Sequence, residues 1–173
     1  MKSHQGLLGL MLIFLVLVAS DYPLFAINGQ SNRATLKGLK GVGVLVENLS
    51  SEVEKEGLKK NGLQLEVEFK LREAGINVLS KEESLKTPGE PYLYINVNMN
   101  TAKTESDIYP YSIDMLFIQK VSLLRNPQQV TYAVTWSTGG VGSITKQLVS
   151  RLRSSVSDMV DIFIKAYLAE NPK

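Results

Sequence analysis

The chain of 173 residues contains no cysteine and one histidine, His4. The lack of cysteine excludes a disulfide framework, a thiol nucleophile and the lipid-modified cysteine of a bacterial lipoprotein. Because the single imidazole stands at position 4, the rest of the chain lacks the commonest general base and metal ligand. The sequence therefore predicts a protein that is not an enzyme, with no catalytic residue, no metal site and no cofactor.

A strong charge of either sign is also missing. Nineteen Lys and Arg residues stand against 17 Asp and Glu, a formal net charge of +2. Such a balance gives no electrostatic reason to expect a nucleic-acid partner, and we predict none. The apolar fraction of 44% is that of a globular chain, and the length fits one ordinary domain.

The first twenty residues have the layout of a secretory signal peptide. Lys2 supplies the positive charge, residues 7–19 form an uncharged apolar run, and Val18 and Ser20 fit a cleavage site after position 20. We predict a signal peptide over 1–20, a flexible lead-in over 21–37 and a single α/β domain over 38–173. The exported protein would be periplasmic or secreted, without a membrane span after cleavage. The alternative is an N-terminal membrane anchor, although this run is shorter than the ~20 residues that span a bilayer.

The hydrophobic pattern predicts an α+β fold. Residues 63–74 alternate like a strand, yet Glu68 and Arg72 form a helical pair and Gly75 suits a helix C-cap, so we predict a helix. The order β-α-β-β-β-β-α follows, as a two-layer sandwich with two helices on one face of a mostly antiparallel sheet of about five strands. The predicted strands are 42–46, 76–79, 92–101, 111–124 and 130–136, and the second helix is 144–168.

A glycine-rich run, 139–142, predicts a break between the last strand and the last helix. The run is followed by Ser143 and Lys146, which resembles a phosphate cradle or a Ser–Lys pair, but its spacing matches no phosphate-binding motif. We interpret it as a flexible turn. Trp136, just before it, is expected to lie in the core beneath the last helix.

Four residues form the candidate binding surface. Tyr92 and Tyr94 share one face of their strand with Asn96, Asn98 and Asn100, whereas Leu116 and Ile118 share one face of the next strand. If the helices cover the other side of the sheet, Tyr92, Tyr94, Leu116 and Ile118 form an outward apolar patch. Such a patch suggests a protein partner or self-association through the sheet. The alternatives are that the lead-in or the charged loops cover it, or that the Tyr/Asn face binds a small ligand.

Several segments resemble an uncharacterised family of small exported bacterial proteins of unknown function. The segments that carry the resemblance are 63–76, 91–97, 111–114, 121–127, 135–139 and 160–172. The resemblance covers most of the domain but implies no activity. The order of elements also resembles small periplasmic modules of envelope-assembly and secretion accessory proteins, a likeness at the level of the fold that does not assign function.

Overall fold

A computed structural model describes residues 26–101 and 107–172. The predicted signal peptide lies outside the described residues. The helices are α1 Gln30–Arg33, α2 Ser51–Lys55, α3 Lys60–Glu73, α4 Lys81–Lys86 and α5 Leu152–Glu170, with 3₁₀ turns at Ala34–Leu36 and Lys146–Arg151. The strands are β1 Val42–Val46, β2 Val78–Leu79, β3 Tyr92–Met99, β4 Ile108–Leu123 and β5 Asn126–Thr145.

The five strands form one sheet in the order β2-β1-β3-β4-β5, which confirms the predicted α+β class. The sheet is more mixed than expected, because β1 is parallel to both β2 and β3. The β3–β4 and β4–β5 pairs are antiparallel. The parallel pairs arise because α3 and then α4 each carry the chain back before the next strand begins.

One hydrophobic core joins the sheet to α3 and α5. Phe163 of α5 lies at its centre: its ring centroid is 5.2 Å from that of Trp136 and 5.8 Å from that of Phe117. All three side chains are fully buried, which confirms the expected place of Trp136. The other buried residues of the sheet's inner face include Val42, Val46, Leu93, Ile95, Ile113 and Met115.

Helix α3 confirms the choice of helix over strand for residues 63–74. Leu63, Val67 and Leu71 are buried on one face. Gly75 follows with φ +79°, a left-handed conformation that glycine adopts without steric cost and that ends the helix. Asn61, a residue type that favours the N-cap position, lies inside the helix, and the N-cap is Lys59, which makes no side-chain capping bond.

Pro88 and Gly89 predict a turn-rich connection over 81–91, but its first six residues form helix α4. Ser80 accepts a hydrogen bond from the Glu83 amide at 3.2 Å, and the Glu83 carboxylate accepts one from the Ser80 amide at 2.8 Å. This reciprocal capping box satisfies two amides that a helix start leaves unpaired. The Ser80-x-x-Glu83 signature of this capping box is present in the sequence a few residues before Pro88 and Gly89.

The predicted break at 139–142 is wrong, because β5 runs through these glycines to Thr145. Gly139 pairs with Asp114 and Gly142 with Tyr111. A Cβ on Gly142 would lie 2.7 Å from the Tyr111 hydroxyl oxygen, so the missing side chain makes room for the tyrosine ring on the neighbouring strand. The last helix consequently begins at Leu152 rather than at Ile144.

The described part of the lead-in, residues 26–37, packs against the domain and is not the flexible segment that we predict. Leu36 is fully buried in the core. The Asn28 side-chain oxygen accepts a hydrogen bond from the Trp136 indole at 2.8 Å. Ile27 exchanges two hydrogen bonds of 3.0 Å with Ser137, one through the serine hydroxyl and one through its backbone amide. The polar composition hid these partners because they lie about 110 positions away in the sequence.

Candidate functional site

The strand register brings the four predicted site residues together on the face of the sheet opposite α3 and α5. Tyr94 is paired with Leu116, and Tyr92 with Ile118. All four side chains are half-buried, whereas their neighbours Leu93, Met115 and Phe117 are fully buried on the inner face. Alternation along β3 and β4 grouped these residues correctly, and the helices α3 and α5 cover the other face of the sheet, as the outward patch required.

The register adds residues that the sequence did not single out. Leu45 of β1 is paired with Tyr94, and Val134 of β5 is paired with Ile118. Tyr132 lies one step further along the same face, because β5 contains a bulge at the Phe117/Ile118 step that shifts its register. We call the resulting set the outer patch; it consists of Leu45, Tyr92, Tyr94, Leu116, Ile118, Tyr132 and Val134.

The hydroxyl group of Tyr94 is bonded within the protein. Tyr94 donates a hydrogen bond of 2.9 Å to the Glu47 carboxylate. Partial burial and this bond raise the pKa of Tyr94, and the Asn48 amide and Tyr94 lower the pKa of Glu47. Tyr94 therefore presents mainly its ring to the solvent side of the sheet.

A charged cluster borders the outer patch. The Glu90 carboxylate accepts hydrogen bonds from the Lys120 ammonium and from the Tyr132 hydroxyl. These bonds hold the pKa of Glu90 below its ordinary value. The Lys120 nitrogen also lies 5.4 Å from the Tyr132 ring centroid, and the Tyr92 ring meets the Tyr132 ring edge-on at 6.3 Å.

The backbone of Glu90 is unusual. Its φ of +44° is rarely adopted by a residue with a side chain and costs of order 1 kcal/mol. The turn is held by hydrogen bonds from the Glu90 amide to Thr87 at 2.8 Å and from the Lys120 amide to Gly89 at 2.7 Å. This conformation aims the carboxylate at Lys120 and Tyr132, so the cluster fixes the rim of the patch.

A groove of about 530 Å³ opens beside the outer patch, between the sheet and α4. This volume lies within the range of small-molecule and peptide-binding clefts. Leu45, Tyr92 and Tyr132 belong to both features, and Leu85 of α4 faces them with 57% of its surface exposed. The rest of the lining is Gly43, Val44, Gln64, Glu68, Leu79, Ser80, Lys81, Ser84 and Glu90.

The asparagines of β3 lie away from this groove. Asn98 and Asn100 border a separate, shallow depression together with Tyr111, Val141 and Ser143. The Tyr/Asn face is thus divided: its tyrosines belong to the outer patch, whereas Asn98 and Asn100 lie toward the opposite end of the strand.

The remaining sequence candidates are dispersed. Ser143 is an exposed strand residue, and Lys146 forms an ion pair with Glu56 at 3.4 Å. Among residues 26–101 and 107–172, no group of three or more acidic or histidine side chains is placed to hold a metal ion. No helix in this part of the chain is both long and apolar enough to cross a bilayer.

Comparison with models of known protein families and with curated protein sequences finds no match to this chain. The resemblance to small exported bacterial proteins therefore stays a prediction.

Proposed function

We propose that this protein is a non-enzymatic binding module, exported to the periplasm or secreted, that engages a protein partner through the outer patch. The observation that carries the proposal is the register, which places seven apolar or aromatic residues side by side on the face opposite α3 and α5. Leu45 and Tyr132 have 45% and 47% of their surface exposed. Large, contiguous apolar patches on monomeric proteins often mark interaction sites.

The size of the patch favours a limited contact. It spans four strands about 4.8 Å apart and, from the Tyr94 row to the Tyr132 row, about five residues along the strand direction, or roughly 300 Å² in all. A stable interface buries about 800 Å² on each partner. A patch of this size suits a short segment or a transient partner better than a permanent dimer formed by the sheet alone.

The double variant L116D/I118D tests this proposal. Both side chains point away from the core, so the fold should survive while charge is placed in the middle of the patch. We expect the variant to lose the partners that the wild-type protein captures from an envelope extract. Val141→Asp is the matched control: Val141 is 61% exposed on the same face of the sheet but lies outside the patch.

Equal recovery of every captured protein by the double variant and by wild type would contradict the proposal. Light scattering during size-exclusion chromatography shows whether the outer patch binds a second copy of the chain or a different protein. If the wild-type protein is a dimer and L116D/I118D is a monomer, the outer patch mediates self-association rather than the binding of a different protein.

The second candidate function is the binding of a small ligand in the groove, where two tyrosine rings stand beside the Glu90 cluster. A thermal-shift screen with sugars, lipids and peptides tests it, because a ligand that binds the folded state raises the melting temperature. A hit from the first two classes that is lost in Tyr92→Ala would favour this function over a protein partner.

A further inference from the structure

We infer that helix α3 binds α3 of a second copy of the chain, in antiparallel orientation, through two exposed apolar side chains. These are Leu65 and Phe69, which have 66% and 61% of their surface exposed. Because residues four positions apart are neighbours on a helix, the two side chains form one surface, which we call the α3 stripe. The α3 stripe lies on the opposite side of the sheet from the outer patch, so the inference does not depend on the proposed function.

The α3 stripe accounts for the strand-like alternation of residues 63–74. Leu63, Val67 and Leu71 are buried against the core. Since a helix turns by about 100° per residue, a side chain two positions further along points about 200° away, to the side that faces solvent. Leu65 and Phe69 therefore form a second apolar face on α3, where a helix that covers one side of a sheet normally carries polar residues. An exposed apolar face of this kind indicates a further partner.

The charged residues at the two ends of α3 fit a second copy in antiparallel orientation. Lys59 precedes the helix, Glu73 ends it, and both residues are exposed. Neither takes part in the ion pairs that the described residues form. In an antiparallel pair centred between Leu65 and Phe69, Lys59 of each copy stands two residues, about 3 Å along the axis, from Glu73 of the other. A parallel pair would instead bring like charges together at both ends.

The middle of the antiparallel pair is equally complementary. A twofold axis midway between Leu65 and Phe69 places each of these side chains against the other one in the second copy, so both are covered. Arg72 then faces Asn61 of the other copy, and both residues are exposed. The Arg72 guanidinium binds Glu68 at 3.1 Å and has further N–H groups that can donate to the Asn61 side-chain oxygen. Every contact of the pair occurs twice.

The length of α3 sets the strength of the association. The helix contains 14 residues and is about 21 Å long. Packed helices lie about 8–10 Å apart, so the strip of contact covers about 200 Å² on each copy. A stable interface buries about 800 Å² on each partner, and the α3 pair is therefore weak and reversible. Its detection requires a series of protein concentrations.

Sedimentation equilibrium of the wild-type protein from about 10 μM to about 1 mM tests the inference. We expect a monomer–dimer equilibrium, measured at low ionic strength because salt screens exposed ion pairs. Phe69→Lys should weaken the association at least about tenfold, since it places an ammonium group in the apolar contact. Val141→Lys is the matched control and should leave the association unchanged, because Val141 is likewise 61% exposed but lies on the opposite face of the sheet. A wild-type protein that stays monomeric at about 1 mM would overturn the inference.

Charge reversal tests the partner and the orientation together. K59E places two carboxylates together at each end of the pair, and E73K places two ammonium groups there. Each variant alone should associate about threefold more weakly than wild type, or weaker still. In an equimolar mixture of K59E and E73K, both ends of a mixed pair join opposite charges, so the mixture should recover the wild-type association. A mixture that associates no better than the separate variants contradicts the antiparallel pair.

The variant L116D/I118D separates this inference from the proposed function. It should dimerise like wild type, whereas Phe69→Lys should retain every protein that the outer patch captures. Circular dichroism checks that the variants are folded, as the exposed positions of their substitutions lead us to expect. If dimers are lost in L116D/I118D but persist in Phe69→Lys, the α3 inference fails. If the mixture of K59E and E73K recovers association while L116D/I118D captures the same proteins as wild type, the α3 inference stands and the proposed function fails.

Discussion

The substitution Gly139→Ala distinguishes a strand at this position from a flexible glycine turn. In a turn with open space, alanine would be neutral or would stabilise the protein by about 0.4–1 kcal/mol, since it restricts the unfolded chain. In the structure, a Cβ at Gly139 would lie 2.8 Å from the carbonyl oxygen of Ile113 on the paired strand. That oxygen belongs to the backbone, so relief requires the two strands to move apart.

The magnitude follows from two opposed effects. Overpacking in a well-packed region costs about 1–3 kcal/mol, and the gain in strand propensity offsets up to about 1 kcal/mol. We therefore expect Gly139→Ala to lower the free energy of unfolding by about 1–2 kcal/mol. The matched control is Gly140→Ala, whose Cβ would meet only the flexible end of Met159 at 3.3 Å. This control should be neutral or slightly stabilising.

Urea unfolding followed by circular dichroism measures the free energy of unfolding of both variants. These free energies should differ by about 2 kcal/mol, and in thermal melts the melting temperatures should differ by about 4–8 °C for a domain of this size. A Gly139→Ala protein as stable as wild type, or a Gly140→Ala protein equally destabilised, would refute the placement of these glycines in β5.

Two further predictions concern the core and the charged cluster. Phe163→Ala should lower the free energy of unfolding by about 4 kcal/mol in urea melts, because it removes a fully buried ring that contacts two others; a loss below about 2 kcal/mol would contradict its central place. Glu90 should make the free energy of unfolding depend on pH, because Lys120 and Tyr132 lower its pKa in the folded state. The stabilisation by the Glu90 carboxylate is complete above the ordinary pKa of 4.5 and is lost as the pH falls through the lower folded-state pKa. Urea melts of wild type and Glu90→Gln between pH 6 and pH 3 should converge toward the acid end, whereas parallel curves would show that the carboxylate contributes nothing.

The helix α3 illustrates how far sequence patterns reach. Its boundaries are close to the predicted ones, and the expected pair of Glu68 and Arg72 forms at 3.1 Å. Glu66 and Lys70 have the same acid-before-base spacing of four residues, but they do not pair. Lys70 instead binds Asp161 of α5 at 2.7 Å, and Glu66 binds Arg153 at 3.3 Å. The spacing within a helix shows which partners are near along the chain, but not which helix packs against it.

In the candidate site, too, some features follow from the sequence and others only from the tertiary structure. The sequence by itself placed Tyr92 with Tyr94, and Leu116 with Ile118, on common strand faces, because strand alternation is a local property. The tertiary structure decided which face of β4 points away from the core, since both faces of that strand carry apolar residues. Only the tertiary structure decided that the four residues adjoin one another and that Leu45 and Tyr132 join them, since register depends on strands far apart in the sequence.

The sequence alone also determined the α+β class, the helix of α3 with its glycine cap, and the buried place of Trp136, all of which follow from local propensity and periodicity. The tertiary structure decided that β5 continues through Gly139 and that residues 26–37 pack against part of the β5 edge of the sheet. The physical reason is the same for both. A strand is completed by hydrogen bonds and close contacts with distant segments, and no local pattern records where those segments lie.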